Sequence, residues 1–150
     1  MEIAIGMSHD SLPFKYLGVP ICKGKLKQNH CQDILEHFDK HINSWYSKIL
    51  NPMGRLILIK HVLSSIPLHY LAVHSLPISV MNHLHRVMSN FLWVYSNGKP
   101  KHHWKNWESI CTPKDEGGLG LRNLKDLHKA YSIKHWWKAQ KDNSIWATYI

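Results

Sequence analysis

Chemistry in this chain has to come from basic, aromatic and imidazole side chains, because acids are scarce. Of 150 residues, 19 are Lys or Arg, 10 are Asp or Glu and 13 are His, a formal net charge of +9 with His neutral. Such an excess favours an anionic partner, nucleic acid before a membrane surface. Lys15, Lys23, Lys25, Lys27, Arg55, Lys60, Lys99, Lys101 and Lys105 are candidate phosphate contacts. Of the seven Trp, Trp45 and Trp93 fall in apolar stripes and read as core. Trp104 and Trp107 are divided between core and base stacking.

Other chemistries lack their residues. Two-metal phosphoryl transfer needs two or three carboxylates converging on ions about 3.5–4 Å apart. Asp33, Glu36 and Asp39 share a helix face of the solvated kind, and Asp115–Glu116 lies in a loop. GGLG at 117–120 has no following Lys-Ser/Thr, so it reads as a turn and not a phosphate loop. No HExxH or nucleophile elbow occurs. Zinc would have to be gathered from His83, His85, His102, His103 and Cys111, with no CxxC and no paired half-sites. Three widely spaced Cys (Cys22, Cys31, Cys111) argue against a disulfide framework. The chain is expected to perform no bond-making chemistry alone.

The elements that must hold these residues follow from periodicity. Residues 11–27, SLPFKYLGVPICKGKLK, combine strand formers Phe14, Tyr16, Val19 and Ile21 with Gly18 and Gly24, and predict a short strand or hairpin. Lys23, Lys25 and Lys27 alternate and would share one side of an extended stretch. Ile34, Leu35, Phe38, Ile42, Trp45, Tyr46 and Ile49 predict a helix stopping near Leu50, with NPMG as a turn. A second helix fits Arg55–Ile66, ended or kinked by Pro67, and Leu68–Ser75 leads on to Pro77. A third fits Ser79–Tyr95. Trp104, Trp107 and Ile110 suggest a short helix or an apolar clamp. Asn123 would cap a further helix through about Lys141, with Leu124, Leu127, Tyr131 and Trp137 on one side. The fold class is therefore mainly α: a short N-terminal β-hairpin followed by four or more helices, expected to be incomplete because SIWATYI starts a pattern that stops.

No Asp, Glu, Lys or Arg lies between Lys60 and Arg86, but Pro67, Pro77 and several Ser and His there oppose a membrane span. The first ten residues, with Glu2 and Asp10, do not form a signal peptide, so the chain is not expected to be secreted.

Taken in order, SLPFKYLGVPI at 11–21, a helix ending in Trp, NPMGRLILIKHVLSSIP at 51–67, a Pro-initiated helix ending FLW at 77–93, and W…CTPKDEGGLGLRNL at 107–124 before a helix with WW resemble plant LINE-type (non-LTR) retrotransposon reverse transcriptases. The likeness runs over roughly residues 11–150. It implies a residual palm edge or disorder at 1–10, a primer-grip hairpin at 11–27, a thumb-like helical bundle at 28–95 and a connector at 96–150. Lys15, Tyr16, Leu17 and Gly18 would sit at the grip, with Gly18 allowing close backbone approach to nucleic acid. Lys23, Lys25 and Lys27 would flank it, Arg55 would start a thumb helix near the duplex, and Lys60, five residues on, lies off that line.

The family's Tyr-x-Asp-Asp motif, its fingers and most of its palm are missing, as is its downstream Cys/His zinc motif. The resemblance thus implies a non-catalytic segment of an RNA-directed DNA polymerase. It would position an RNA–DNA or DNA duplex without sequence preference and hold no cofactor, Mg belonging to the intact enzyme with its palm and fingers. It would act in the nucleus and not on a membrane. Two alternatives stay open: a helical interaction protein or remnant without a nucleic-acid role, and a His-rich zinc-binding module.

Overall fold

Phe14–Tyr16 (β1) and Val19–Ile21 (β2) form an antiparallel hairpin in the computed structural model, which describes residues 13–46, 50–93 and 102–141. Phe14 pairs with Ile21, Lys15 with Pro20 and Tyr16 with Val19. Leu17 and Gly18 make the whole turn, with φ of 49° and 80°. Both values are positive, as the hairpin turn that matches strand twist requires. Gly18 adopts this freely, and a Cβ there would meet nothing within 4 Å, so its role inside the chain is conformational. Leu17 holds a left-handed conformation that costs an ordinary residue about 1–2 kcal/mol.

Beyond β2 the extended stretch expected at 23–27 does not form. Residues 23–25 bend, with Gly24 at φ 89°, and lead to a 3-10 turn at Gln28–Cys31. Helix α1 spans Gln32–Tyr46 and buries Ile34, Phe38 and Ile42. NPMG starts a helix where a turn was expected. The side chain of Asn51 accepts from the Gly54 N–H at 2.7 Å, and Pro52 occupies the first position, where a missing N–H is harmless.

Helix α2 (Pro52–Leu58) passes into a π-turn at Ile59–Leu63. There the Ile59 carbonyl accepts from both the backbone N–H (2.9 Å) and the hydroxyl (2.8 Å) of Ser64. Ser65 likewise donates to the Val62 carbonyl at 2.7 Å. This break precedes Pro67, which therefore sits in the first turn of a new helix, α3 (Ile66–Leu71), and neither ends nor kinks the old one.

Helix α4 (Ile78–Trp93) is the centre of the core. Val80, Met81, Leu84, Met88, Phe91 and Leu92 are buried along it, and α1, α2, α3's preceding π-turn and later elements pack around it. Pro77 supplies its first acceptor, bonding Val80 and Met81 N–H groups at 3.0 and 3.1 Å. Helix α5 is short (Trp107–Cys111) and capped by Asn106. Helix α6 runs Leu124–Lys141. Ile110, Leu121 and Leu124 join the same buried cluster as Phe38 and Leu84. The side of α6 expected to be apolar is buried only at its start: Leu127 and Tyr131 are half-buried and Trp137 is 53% exposed. Trp45 and Trp93 pack partly against the core, and Trp104 is exposed. No helix among the described residues is long and apolar enough to cross a membrane. Residues 1–10, Lys48, Ile49, Tyr95, Lys99, Lys101 and Trp146 lie outside the described residues.

The glycine loop between α5 and α6 carries three separate constraints. Gly117 (φ 81°) and Gly120 (φ 65°) need positive φ, whereas a Cβ on Gly118 would stand 2.0 Å from the Thr112 carbonyl oxygen. Gly118→Ala is expected to destabilise the fold by about 1–3 kcal/mol, since that neighbour is backbone and cannot swing aside. A shift of the urea midpoint to lower concentration at unchanged slope checks this.

Candidate nucleic-acid interface

A two-stranded hairpin is marginal by itself in water, so its position depends on what holds it. Here α3 holds the tip. The Tyr70 hydroxyl donates to the Gly18 carbonyl at 3.0 Å, and His69 Nε2 lies 3.0 Å from the Leu17 carbonyl. A carbonyl only accepts, so His69 carries its proton on Nε2. Burial raises the Tyr70 pKa, and the nearby Asp33 and Cys31 add to the rise. The phenol therefore stays protonated and keeps donating. On the other side, Lys15 Nζ meets Asp33 Oδ2 at 2.5 Å, joining β1 to α1. Both partners are solvent-exposed, so the pair fixes direction more than it adds stability. Between hairpin, α1 and α3 lies a groove of about 460 Å³, bordered by Gly18, Asp33, His37, His69 and Tyr70 over an Ile34–Ile66 floor.

Pinned this way, the tip presents side chains outward: Tyr16 is 61% and Leu17 75% exposed. Lys23, Lys25 and Lys27 follow on the exit from β2, all exposed and none in an ion pair among the described residues. That segment is tied to the start of α4 by the Ser79 hydroxyl, which donates to Gln28 Oε1 at 3.2 Å. Arg55 is half-buried on α2, and Lys60 is exposed in the π-turn. No hydrogen bond or ion pair among the described residues joins Arg55 or Lys60 to the hairpin. The structure thus assembles Lys15, Tyr16, Leu17 and Gly18 with Lys23, Lys25 and Lys27 along one stretch of chain, and leaves Arg55 and Lys60 on another element. Sequence reasoning missed Asp33, His69 and Tyr70 as supports. Tyr70 and Gly18 are 52 residues apart, and no local pattern signals that pairing.

The histidines considered for zinc have other partners. His85, 7% exposed, takes the Leu124 N–H on Nε2 at 3.1 Å and so caps α6 from α4. Its pKa is pushed down to about 4, by burial first and by the Lys125 ammonium second, against the opposing Asp126 carboxylate. His83 faces Arg86, His103 Nδ1 meets the Ser89 hydroxyl at 3.2 Å, and His102 packs edge-on to Trp104. Burial, followed by neighbouring carboxylates, lifts the Cys111 thiol to about 11. Burial and Cys22 do the same to Cys31, so both stay as thiols near neutral pH. No group of three or more His, Cys, Asp or Glu side chains suited to a metal ion occurs among the described residues.

Comparison with curated proteins finds an Arabidopsis thaliana protein named "Putative ribonuclease H protein", 36% identical over 129 residues. The match takes in 85% of this chain and 21% of that protein, so the chain spans about a fifth of the length of the relative it matches. No family model and no solved structure matches.

Two outcomes follow from this geometry. Tyr70→Phe removes a single donor and is expected to cost about 1 kcal/mol while leaving the Gly18 carbonyl to solvent, read as a lowered melting temperature and faster amide exchange at the hairpin. For His85 the folded pKa near 4 lies below the ordinary value near 6.5, so the unfolded chain binds the extra proton. Its contribution is complete above pH about 6.5 and is lost as pH falls towards 4, by up to about 3 kcal/mol. Melting curves between pH 7.5 and 4.5 should show this loss, and His85→Gln, which keeps an acceptor but cannot titrate, should flatten it.

Proposed function

We propose that this chain is the primer-grip and thumb segment of a LINE-type reverse transcriptase, holding a template–primer duplex by sequence-independent phosphate contacts. In that role Lys23, Lys25 and Lys27 neutralise backbone phosphates beside the hairpin. Tyr16, Leu17 and Gly18 form the tip that meets the primer strand, and Arg55 and Lys60 contact the duplex from the thumb side. Lys15 orients the hairpin through Asp33 in preference to binding phosphate itself.

The observation that carries this reading is the outward, doubly tied Tyr-Leu-Gly tip with a row of unpaired lysines at its exit. Exposed tips bearing a strained residue are where structures place function, and Leu17 is such a residue. The likeness to a longer ribonuclease H-named plant protein supports a nucleic-acid context. Catalysis is assigned to carboxylates elsewhere in a polymerase, so this segment positions substrate and does not join nucleotides. A rival reading, a helical interaction protein without a nucleic-acid role, rests on α6, which exposes Ile133, Trp136 and Trp137.

Filter binding of an RNA–DNA duplex across a salt series separates the two. Retention at low salt that declines steeply with added salt is expected. Replacing Lys23, Lys25 and Lys27 by Gln should lower the magnitude of the log K against log salt slope by about 2–3, as three lost phosphate contacts require. No retention even at low salt overturns the proposal and favours the interaction reading. Nucleotide incorporation by the pure chain would overturn its non-catalytic part.

A further inference from the structure

Helix α1 carries Asp33, His37, His41 and Trp45 one turn apart, a spacing that stacks side chains along a single face. The Nε2 atoms of His37 and His41 are 3.2 Å apart, with ring centroids separated by 4.7 Å. We propose that His37 and His41 form a two-imidazole chelate for a divalent transition ion of the zinc class, separate from the nucleic-acid contacts. Zinc binds imidazole nitrogen at about 2.0–2.1 Å. Two such bonds spanning the observed 3.2 Å meet at an angle of about 100°, close to tetrahedral. Imidazole nitrogens suit zinc, copper and nickel, whereas magnesium and calcium prefer oxygen.

The two rings are brought together before any ion arrives, their Nε2 atoms facing each other across a hydrogen bond. Ile34, Phe38 and Ile42 fix α1 against the core on the adjoining face. The His41 ring lies 5.5 Å from Trp45, which in turn lies 5.9 Å from Phe91. Without metal, one Nε2–H donates to the other Nε2. On binding, that proton moves to Nδ1 of its own ring, both Nε2 lone pairs face the ion, and no proton is released overall. His37 borders the groove, which leaves the remaining coordination positions to water. Asp33 borders it too, but its carboxylate is engaged by Lys15, and His69 Nε2 is engaged by the Leu17 carbonyl. The site therefore has two protein ligands.

Titration calorimetry of the whole chain with zinc chloride at pH 7.5 tests this, with magnesium chloride as the comparison. Zinc is expected to bind and magnesium to give no heat. His37→Gln and His41→Gln should each weaken the zinc site by about tenfold or more, while His83→Gln leaves it unchanged. Circular dichroism establishes that each variant keeps its helices. Should a variant unfold, nitrogen NMR of the wild-type imidazoles decides: zinc should shift the Nε2 of both rings and convert the one Nε2–H ring to the Nδ1–H form already held by its neighbour. Absence of zinc heat, binding insensitive to both substitutions, or unmoved ring nitrogens would mean that the two imidazoles only hydrogen-bond each other.

Discussion

A two-residue turn leaves carbonyl oxygens that its own hairpin does not use, and those oxygens need donors. Helix α3 supplies them through His69 and Tyr70, and everything exposed at the hairpin depends on that supply. Three residues per strand bury too little to stand alone. Val19 reaches the core while Tyr16 and Leu17 point away, so the hairpin is anchored by one strand and one pair of carbonyls. The arrangement in turn requires α3 to begin where it does. The π-turn at Ile59–Leu63 and the two serines after it achieve this by closing the preceding helical stretch one turn before Pro67, which leaves Pro67 free to open the next helix.

The same economy of polar groups appears at the other end of the molecule. A helix start buried against its neighbours must find acceptors for its first N–H groups. In α6 one of them is met by a side chain on α4, His85, and another by Asn123. A buried imidazole that accepts a hydrogen bond must stay neutral, and burial enforces that. The histidine richness of this chain is thus put to structural use at several places: His85 as a cap, His103 against Ser89, His69 as a hairpin tie. Among the described residues, the His37–His41 pair directs two ring nitrogens at each other on an accessible face.

Charge is distributed with little internal cancellation. Three ion pairs occur among the described residues, all on exposed side chains, and the lysines that follow the hairpin are not in them. Exposed unpaired cations beside the tied tip are the feature on which the proposed attraction of a polyanion rests. The aromatic residues divide differently. Those near the core, Trp45, Trp93 and Trp107, pack, and those late in α6, Trp136 and Trp137, face solvent.

The order of elements was legible in the residues themselves. Strand formers around Leu17–Gly18, the stripe Ile34–Phe38–Ile42, the Pro77-initiated helix and the Asn123 cap each act over a few residues, where local sterics and burial periodicity decide. Where local signals competed, the sequence misled: Asn51 and Pro52 are as good a helix start as a turn, and alternation at Lys23–Lys27 yields to Gly24. For the candidate site, the cations and the Tyr-Leu-Gly tip could be picked out by type, but not their supports. Tyr70 reaching Gly18, Lys15 meeting Asp33 and His85 capping Leu124 join residues far apart in the chain, and such pairings exist only once the core has brought the helices together. Composition therefore determined that this protein is basic and poor in carboxylates, and periodicity that it is mainly helical. Tertiary packing alone decided which imidazoles are buried, which lysines stay unpaired and which way the hairpin points, because each of those depends on a neighbour that local sequence does not specify.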